Sequence, residues 1–175
     1  LSEFILLGIG GKELSEENAA QTAKALNIIQ PDFIRVHATG IKLESKLGEF
    51  VRDGSFTLQS EEEIVIEQKL FLQQLHEMDS YYVNEHIVNL LLEVRGNLRT
   101  EKQEMLSTID RFLTLPPDER LLFTVGRRLN IFFRLDDLKK PKLHQKAGES
   151  LQQILSKNPH VDFAALCNYV RQSQI

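Results

Sequence analysis

The sequence predicts a helix-rich α/β protein, with one parallel βαβ unit over residues 1–59 followed by a mainly helical bundle over residues 60–175. Three observations carry this expectation. The run FILL breaks into the glycine cluster GIGG (Phe4–Gly11), which reads as a strand ending in a tight turn. DFIRVHA (Asp32–Ala38) alternates Phe33, Arg35 and His37 against Ile34, Val36 and Ala38, which reads as a second strand. From Ser60 onward, apolar residues recur at helical spacing.

In chain order, residues 3–9 are apolar at consecutive positions, the pattern of a parallel strand buried on both faces. SEEN (Ser15–Asn18) then opens a helix: the Ser15 hydroxyl is placed to cap it, and Glu16 and Glu17 suit its dipole. Ala19, Ala20, Ala23 and Leu26 continue that helix until Pro31 stops it. Strand, helix and strand with short joints give one right-handed parallel crossover. A two-strand unit leaves sheet surface uncovered, so further strands or a partner are expected.

Residues 39–59, punctuated by Gly40, Gly48 and Gly54, read as an irregular connection. SEEE (Ser60–Glu63) is a capping box, and Ile64, Phe71, Leu75 and Met78 line one face behind it. A short helix is expected over Val83–Val94, stopped by Gly96. TEKQ (Thr100–Gln103) offers a second capping box before Met105, Ile109, Phe112 and Leu113. Pro116 and Pro117 suit the start of a helix running through Arg128, because their missing amides do no harm there. Leu143–Lys157 and Val161–Gln172 supply two more helices, separated by Asn158-Pro159.

Charge and composition narrow the function classes. The net charge of −4 gives no support to a nucleic-acid surface. No apolar run reaches the roughly 20 residues of a membrane span, and no basic stretch precedes the first apolar run, so neither a membrane anchor nor a signal peptide is expected. Cys167 is the sole cysteine, so no disulfide framework, cysteine zinc site or iron–sulfur site can be assembled within this chain; a reduced, cytoplasmic setting is expected. The chain starts at Leu1 inside a strand pattern, which suggests a segment of something longer.

No residue set declares a catalytic site. GIGG offers backbone amides to an anionic group but matches neither the dinucleotide fingerprint nor the phosphate loop, and on pattern alone a tight βα turn is the favoured reading. His76 and His86 lack the i, i+4 spacing of helical metal ligands and read as surface or helix-end histidines. His37 lies near the carboxyl end of a strand, where α/β ligands bind, and packing competes evenly with a ligand contact there. Gly126–Arg128 suits salt bridges to acidic helices better than an anion clamp. Capping accounts for Glu61–Glu63, and DDLKKPK (Asp136–Lys142) reads as a solvated linker.

Several stretches together carry a resemblance. FILLGIGGKELSEENAAQTAKALNIIQPDFIRVHATGIKLESKL, YYVNEHIVNLLLEVRGNL and MLSTIDRFLTLPPDERLLFTVGRR with the following LDDL resemble the late barrel region and helical tail of radical S-adenosylmethionine proteins of the Fe–S oxidoreductase type, over about Phe4 to Leu138. The resemblance implies that Phe4–Ile9 and Asp32–Ala38 are the fifth and sixth strands of a partial (β/α)6 barrel. It further implies that Gly8, Gly10 and Gly11 approach the adenosyl part of S-adenosylmethionine, and that the backbone near Val36, His37 and Ala38 contacts adenine. The cofactors implied for the intact parent are S-adenosylmethionine and a [4Fe–4S] cluster. The family's CxxxCxxC motif is absent here, and RVHATGIKLESKL replaces the common RVRTLALKPGTPL. The chain alone is therefore expected to bind neither cofactor and to be inactive. Its expected partner is the missing barrel half or a second copy meeting exposed strand faces. The competing expectation is a non-enzymatic helical interaction module that keeps a βαβ remnant.

Overall fold

The computed structural model describes residues 1–174. The elements follow as β1 (Ser2–Leu7), α1 (Ser15–Ile29), β2 (Phe33–Ala38), α2 (Lys46–Asp53), α3 (Glu61–Gln74), β3 (Tyr81–Val83), β4 (Gly96–Asn97), α4 (Lys102–Leu113), α5 (Pro117–Arg128), a 3-10 turn (Leu135–Lys139), α6 (Pro141–Lys157) and α7 (Phe163–Gln172). The protein is α/β, with a small mixed sheet in the order β1-β2-β3-β4. The first three strands are parallel and β4 is antiparallel to β3.

The βαβ unit forms as the sequence predicts: β1 pairs with β2 from Ser2↔Phe33 to Leu7↔Ala38. The α3 crossover then brings β3 in parallel beside β2, from Phe33↔Tyr81 to Arg35↔Val83. Strands in sequential order, joined by right-handed crossovers, place their helices on one side. Accordingly α1 and α3 pack side by side over one face, where Ile5, Leu7, Ile34, Val36, Ala38 and Tyr82 are buried against Ala19, Ala23, Leu26, Phe71 and Leu72. The other face lies open: Phe4 is 65% exposed, Leu6 46%, Phe33 43% and Tyr81 40%. This corrects the reading of the first strand as buried on both faces. A consecutive apolar run does not reveal that only one side of its sheet receives helices.

Three further expectations are revised. Residues 83–94 form no helix; β3 enters this stretch and a loop follows, held by Asn84 Nδ2 donating to the Leu91 carbonyl at 2.6 Å. Residues 39–59 are not wholly irregular, because α2 forms there, capped by Ser45 accepting from the Gly48 amide at 3.1 Å. The Thr100 box does not form: the helix starts at Lys102, and the Glu101 carboxylate instead accepts the Asn97 amide at 2.7 Å.

Local signals hold where capping is self-contained. Ser60 and Glu63 make the reciprocal box of α3, and Pro117 opens α5. Gly126 within α5 lets the Phe132 ring press against the helix, since a Cβ there would fall 2.3 Å from that ring. Phe132 stacks in turn on Phe123, with ring centroids 5.9 Å apart. Residues 136–142 are more than a linker: buried Asp137 accepts the Phe133 and Arg134 amides at 2.8 and 3.0 Å within the 3-10 turn.

Candidate functional site at the carboxyl edge of the sheet

The glycine turn leaves β1 with Gly8 at φ 83° and Gly11 at φ 64°, backbone that side chains other than glycine rarely adopt. The Gly8 N–H donates to Glu67 Oε1 at 3.2 Å, and Asn18 Nδ2 donates to the same oxygen at 2.7 Å. The Ser15 hydroxyl donates to Glu67 Oε2 at 3.1 Å, and Gln59 Nε2 donates to that hydroxyl at 2.9 Å. Glu67, fully buried on α3, thus supplies from within the chain the carboxylate that a glycine turn and a helix N-terminus attract. Ser15 is therefore not the N-cap of α1, which starts one residue after Leu14 without a side-chain cap.

The remaining glycines are explained by close approach of the chain to itself. A Cβ on Gly10 would lie 3.0 Å from the Leu14 carbonyl, and one on Gly11 would lie 3.0 Å from the Thr57 carbonyl. The Lys12 amide donates to that same Thr57 oxygen at 3.0 Å, tying the turn to the segment ahead of α3.

At the end of β2, Asn89 completes the backbone as a neighbouring strand would. Its Oδ1 accepts the Ala38 amide at 2.7 Å and its Nδ2 donates to the Val36 carbonyl at 2.7 Å. Nδ2 also reaches Asn84 Oδ1 at 2.7 Å. Arg127 Nη2 holds the same loop through the Ile87 and Asn89 carbonyls, at 2.9 and 3.2 Å. Burial of this guanidinium, more than the charge of neighbouring Arg128, brings its pKa down to about 10. Asn89 and Glu67 were invisible to sequence reasoning, because the Val36 and Ala38 backbone that Asn89 pairs with, and the Gly8, Ser15 and Asn18 groups that Glu67 accepts, lie about fifty to sixty residues away.

His37 points from β2 to the open face. It stacks on His86 with ring centroids 4.2 Å apart and meets the Phe4 ring edge-on at 5.5 Å. Partial burial, followed by the nearby His86 and Arg35, lowers the His37 pKa below the ordinary histidine value. Arg35 lies 5.9 and 5.6 Å from the Phe4 and Phe33 ring centroids, and its Nε donates to the Ser2 hydroxyl at 3.0 Å. The open face is therefore aromatic and cation-bearing, with His86 part of it rather than an isolated surface group.

A third cluster lies beyond the loop that follows β2. Arg128 grips the buried Glu61 carboxylate through Nε at 3.1 Å and Nη2 at 2.5 Å, and Arg171 binds the same carboxylate. The two guanidiniums outweigh the burial of Glu61 and hold its pKa below the usual range. Glu62 pairs with Arg120 at 3.0 Å. Only Glu63 thus acts as a capping carboxylate, and the expected salt bridging of the Gly126–Arg128 stretch belongs to Arg128 alone. Cys167 is buried beside this cluster, and burial pushes its thiol up to about 12.

A [4Fe–4S] cluster does not fit this chain. Such a cluster takes several thiolates, whereas the chain has one cysteine, buried and strongly disfavoured as thiolate. Among the described residues, no three His, Cys, Asp or Glu side chains are grouped as metal ligands. No helix among them is long and apolar enough to cross a membrane. No protein-family model matches the sequence, and comparisons with curated proteins and with solved structures return no match.

Proposed function

We propose that this chain forms the late arc and helical cap of a barrel-type protein of the radical S-adenosylmethionine kind, and that it lends pocket wall but no iron–sulfur cluster. The observation that carries the proposal is the sheet: three parallel strands in sequential order, with α1 and α3 on one face and an aromatic opposite face uncovered. That is the arrangement expected of an arc of a parallel barrel seen from within. On this reading Phe4 in β1, His37 near the carboxyl end of β2 and His86 in the loop after β3 offer rings on which an adenine can stack. Gly8, Gly10 and Gly11 shape the rim around Glu67, and Asn89 holds Val36 and Ala38 in line. S-adenosylmethionine, when bound to an intact parent, supplies the radical chemistry; this chain positions and shields it.

The test compares the polypeptide of the complete gene with this chain, both reconstituted anaerobically and assayed for iron, acid-labile sulfide and S-adenosylmethionine binding by equilibrium dialysis. About four irons and bound S-adenosylmethionine are expected in the former, the count of a [4Fe–4S] cluster, and no cluster in the latter. Absence of iron from both would overturn the reading. It would leave a non-enzymatic interaction module, which one observation already favours: Glu67 and Asn89 satisfy from within the backbone groups that a ligand would use.

A further inference from the structure

Helix α7 is attached differently from α1 and α3, the helices packed on the sheet. Its three buried residues are Cys167, Asn168 and Arg171, two of them polar. Among the described residues, the main hydrophobic core takes none of its members from α7. What holds the helix is a polar clasp. Asn168 Oδ1 accepts the Ile41 amide at 2.9 Å while its Nδ2 donates to the Ile41 carbonyl at 3.0 Å, so one side chain pairs with backbone in both directions. One turn later, Arg171 Nε donates to the Thr39 carbonyl at 3.0 Å and its Nη1 binds the Glu61 carboxylate.

The clasp sits at a functional edge of the fold. Thr39 and Ile41 belong to the segment leaving the carboxyl end of β2, the side of a parallel sheet on which ligands bind. An open cleft of about 160 Å³, lined by Phe112, Thr124, Phe163 and Cys167, runs where α7 meets α5 and the start of α3. A polar attachment, no member in the main hydrophobic core and an open cleft alongside describe an element from the low end of local stability.

We propose that α7 is a strap that opens and recloses over the segment leaving β2, latched by Asn168 and by the Arg171–Glu61–Arg128 triad, while the sheet with α1 and α3 stays folded. The proposal does not depend on the cofactor reading, because it rests only on how α7 is held. Opening releases the Thr39 and Ile41 backbone groups, bares Arg171 and uncovers the Cys167 thiol. Cys167, the sole cysteine, thereby reports the motion without any engineered label.

The experiment follows labelling of Cys167 by 5,5′-dithiobis(2-nitrobenzoate) across non-denaturing urea concentrations, beside deuterium exchange of residues 163–172, 39–41 and 64–72. In the strap mechanism, labelling depends far less on urea than global unfolding does, since opening exposes little surface. Asn168→Ala labels roughly tenfold faster, the effect of losing a buried hydrogen-bonding side chain, while residues 64–72 keep their protection. Tyr169→Ala, at an exposed position of the same helix, labels at the wild-type rate. Labelling that shares the urea slope of global unfolding, in the wild type and in Asn168→Ala alike, would overturn the proposal. So would exchange of residues 163–172 and 64–72 in one step. Should Asn168→Ala fail to fold, the wild-type urea slope decides alone.

Discussion

Along β1 and β2, alternate side chains differ little in kind and greatly in surroundings. Ile5, Leu7, Ile34, Val36 and Ala38 lie under α1 and α3, whereas Phe4, Leu6 and Phe33 face outward. Hydrophobicity does not separate the two sets; the outward one holds the larger rings. What separates them is the handedness of the crossovers, which sends both helices to one side of a sheet built in sequential order. The open face thus keeps exposed an apolar surface that contributes about 25 cal/mol for each Å² a second surface would cover. Its chemistry also differs: Arg35, His37 and His86 lie among the rings on the open face, whereas the strand residues of the covered face, Ile5, Leu7, Ile34, Val36 and Ala38, carry no charge. A face that serves only stability has no need of a guanidinium between two phenyl rings.

The largest effect expected from this contrast is on the covered side. Ile34→Ala should destabilise the protein by about 2–5 kcal/mol in urea unfolding, because Ile34 is fully buried between sheet and helices and its removal leaves a cavity. The contrast would break if Phe4→Ala, on the other face of the same ladder, cost as much. That outcome would mean the open face is already buried in solution, and sedimentation velocity over a range of concentrations would show it as association.

Next in size is the seal at the carboxyl edge of the covered face. Glu67→Ala removes one carboxylate and leaves the Gly8 amide, the Asn18 amide group and the Ser15 hydroxyl without their acceptor. The expected cost is about 1–3 kcal/mol in thermal or urea unfolding, since stranded buried donors are penalised more than a lost surface bond. Glu67→Gln should cost less than Glu67→Ala, because it keeps one acceptor oxygen. Equal costs for the two would show that volume, not acceptance, is what Glu67 supplies.

How much of this was legible in the sequence follows from the range of each interaction. Ser60 and Glu63 are three residues apart and cap α3 by themselves, so their pattern could be read directly. Pro117 opens α5 for an equally local reason. Thr100–Gln103 has the same pattern and no box, because Glu101 is drawn to the Asn97 amide at the end of β4. Strands β3 and β4, of three and two residues, are too short for any period to register. They exist because β2 offers an edge and because Asn84 and Asn89 fix the loop between them. The candidate site follows the same rule. GIGG marked the turn, whereas Glu67, which fills it, is 59 residues from Gly8, and Asn89 is 51 residues from Ala38. His37 was visible as a residue at a strand end, but its partner His86 became one only when α3 carried the chain back across the sheet.

A smaller effect is expected at Phe4 itself. With 65% of the residue exposed, Phe4→Ala should change monomer stability by no more than about 0.5 kcal/mol. If a partner covers the open face, the same substitution should weaken that association far more than it weakens the fold. Measuring both on one sample sharpens the division between a face that stabilises and a face that binds.

The smallest and most specific effect concerns protonation of that face. The His37 pKa is lowered by burial first, then by His86 and Arg35, so between its folded value and the unfolded value near 6.5 the unfolded chain holds more protons. Stability therefore rises with pH through that window, is fully present above about pH 6.5, and is lost as pH falls through the folded value. The carboxylates with lowered pKa, Glu61 and Asp137 among them, act with the same sign, but their window lies below about pH 4.5 and leaves the His37 range clear. Melting His37→Gln and the wild type between about pH 7 and pH 5 isolates the contribution: the wild type should lose more of its Tm on acidification than the variant. Equal losses would mean that His37 is as free as a histidine in the unfolded chain, and that the stack with His86 does not hold in solution. A partner seated on the open face would bury the ring further, lower its pKa again and widen the gap between wild type and variant, so the same pair of melts also reports whether that face is covered.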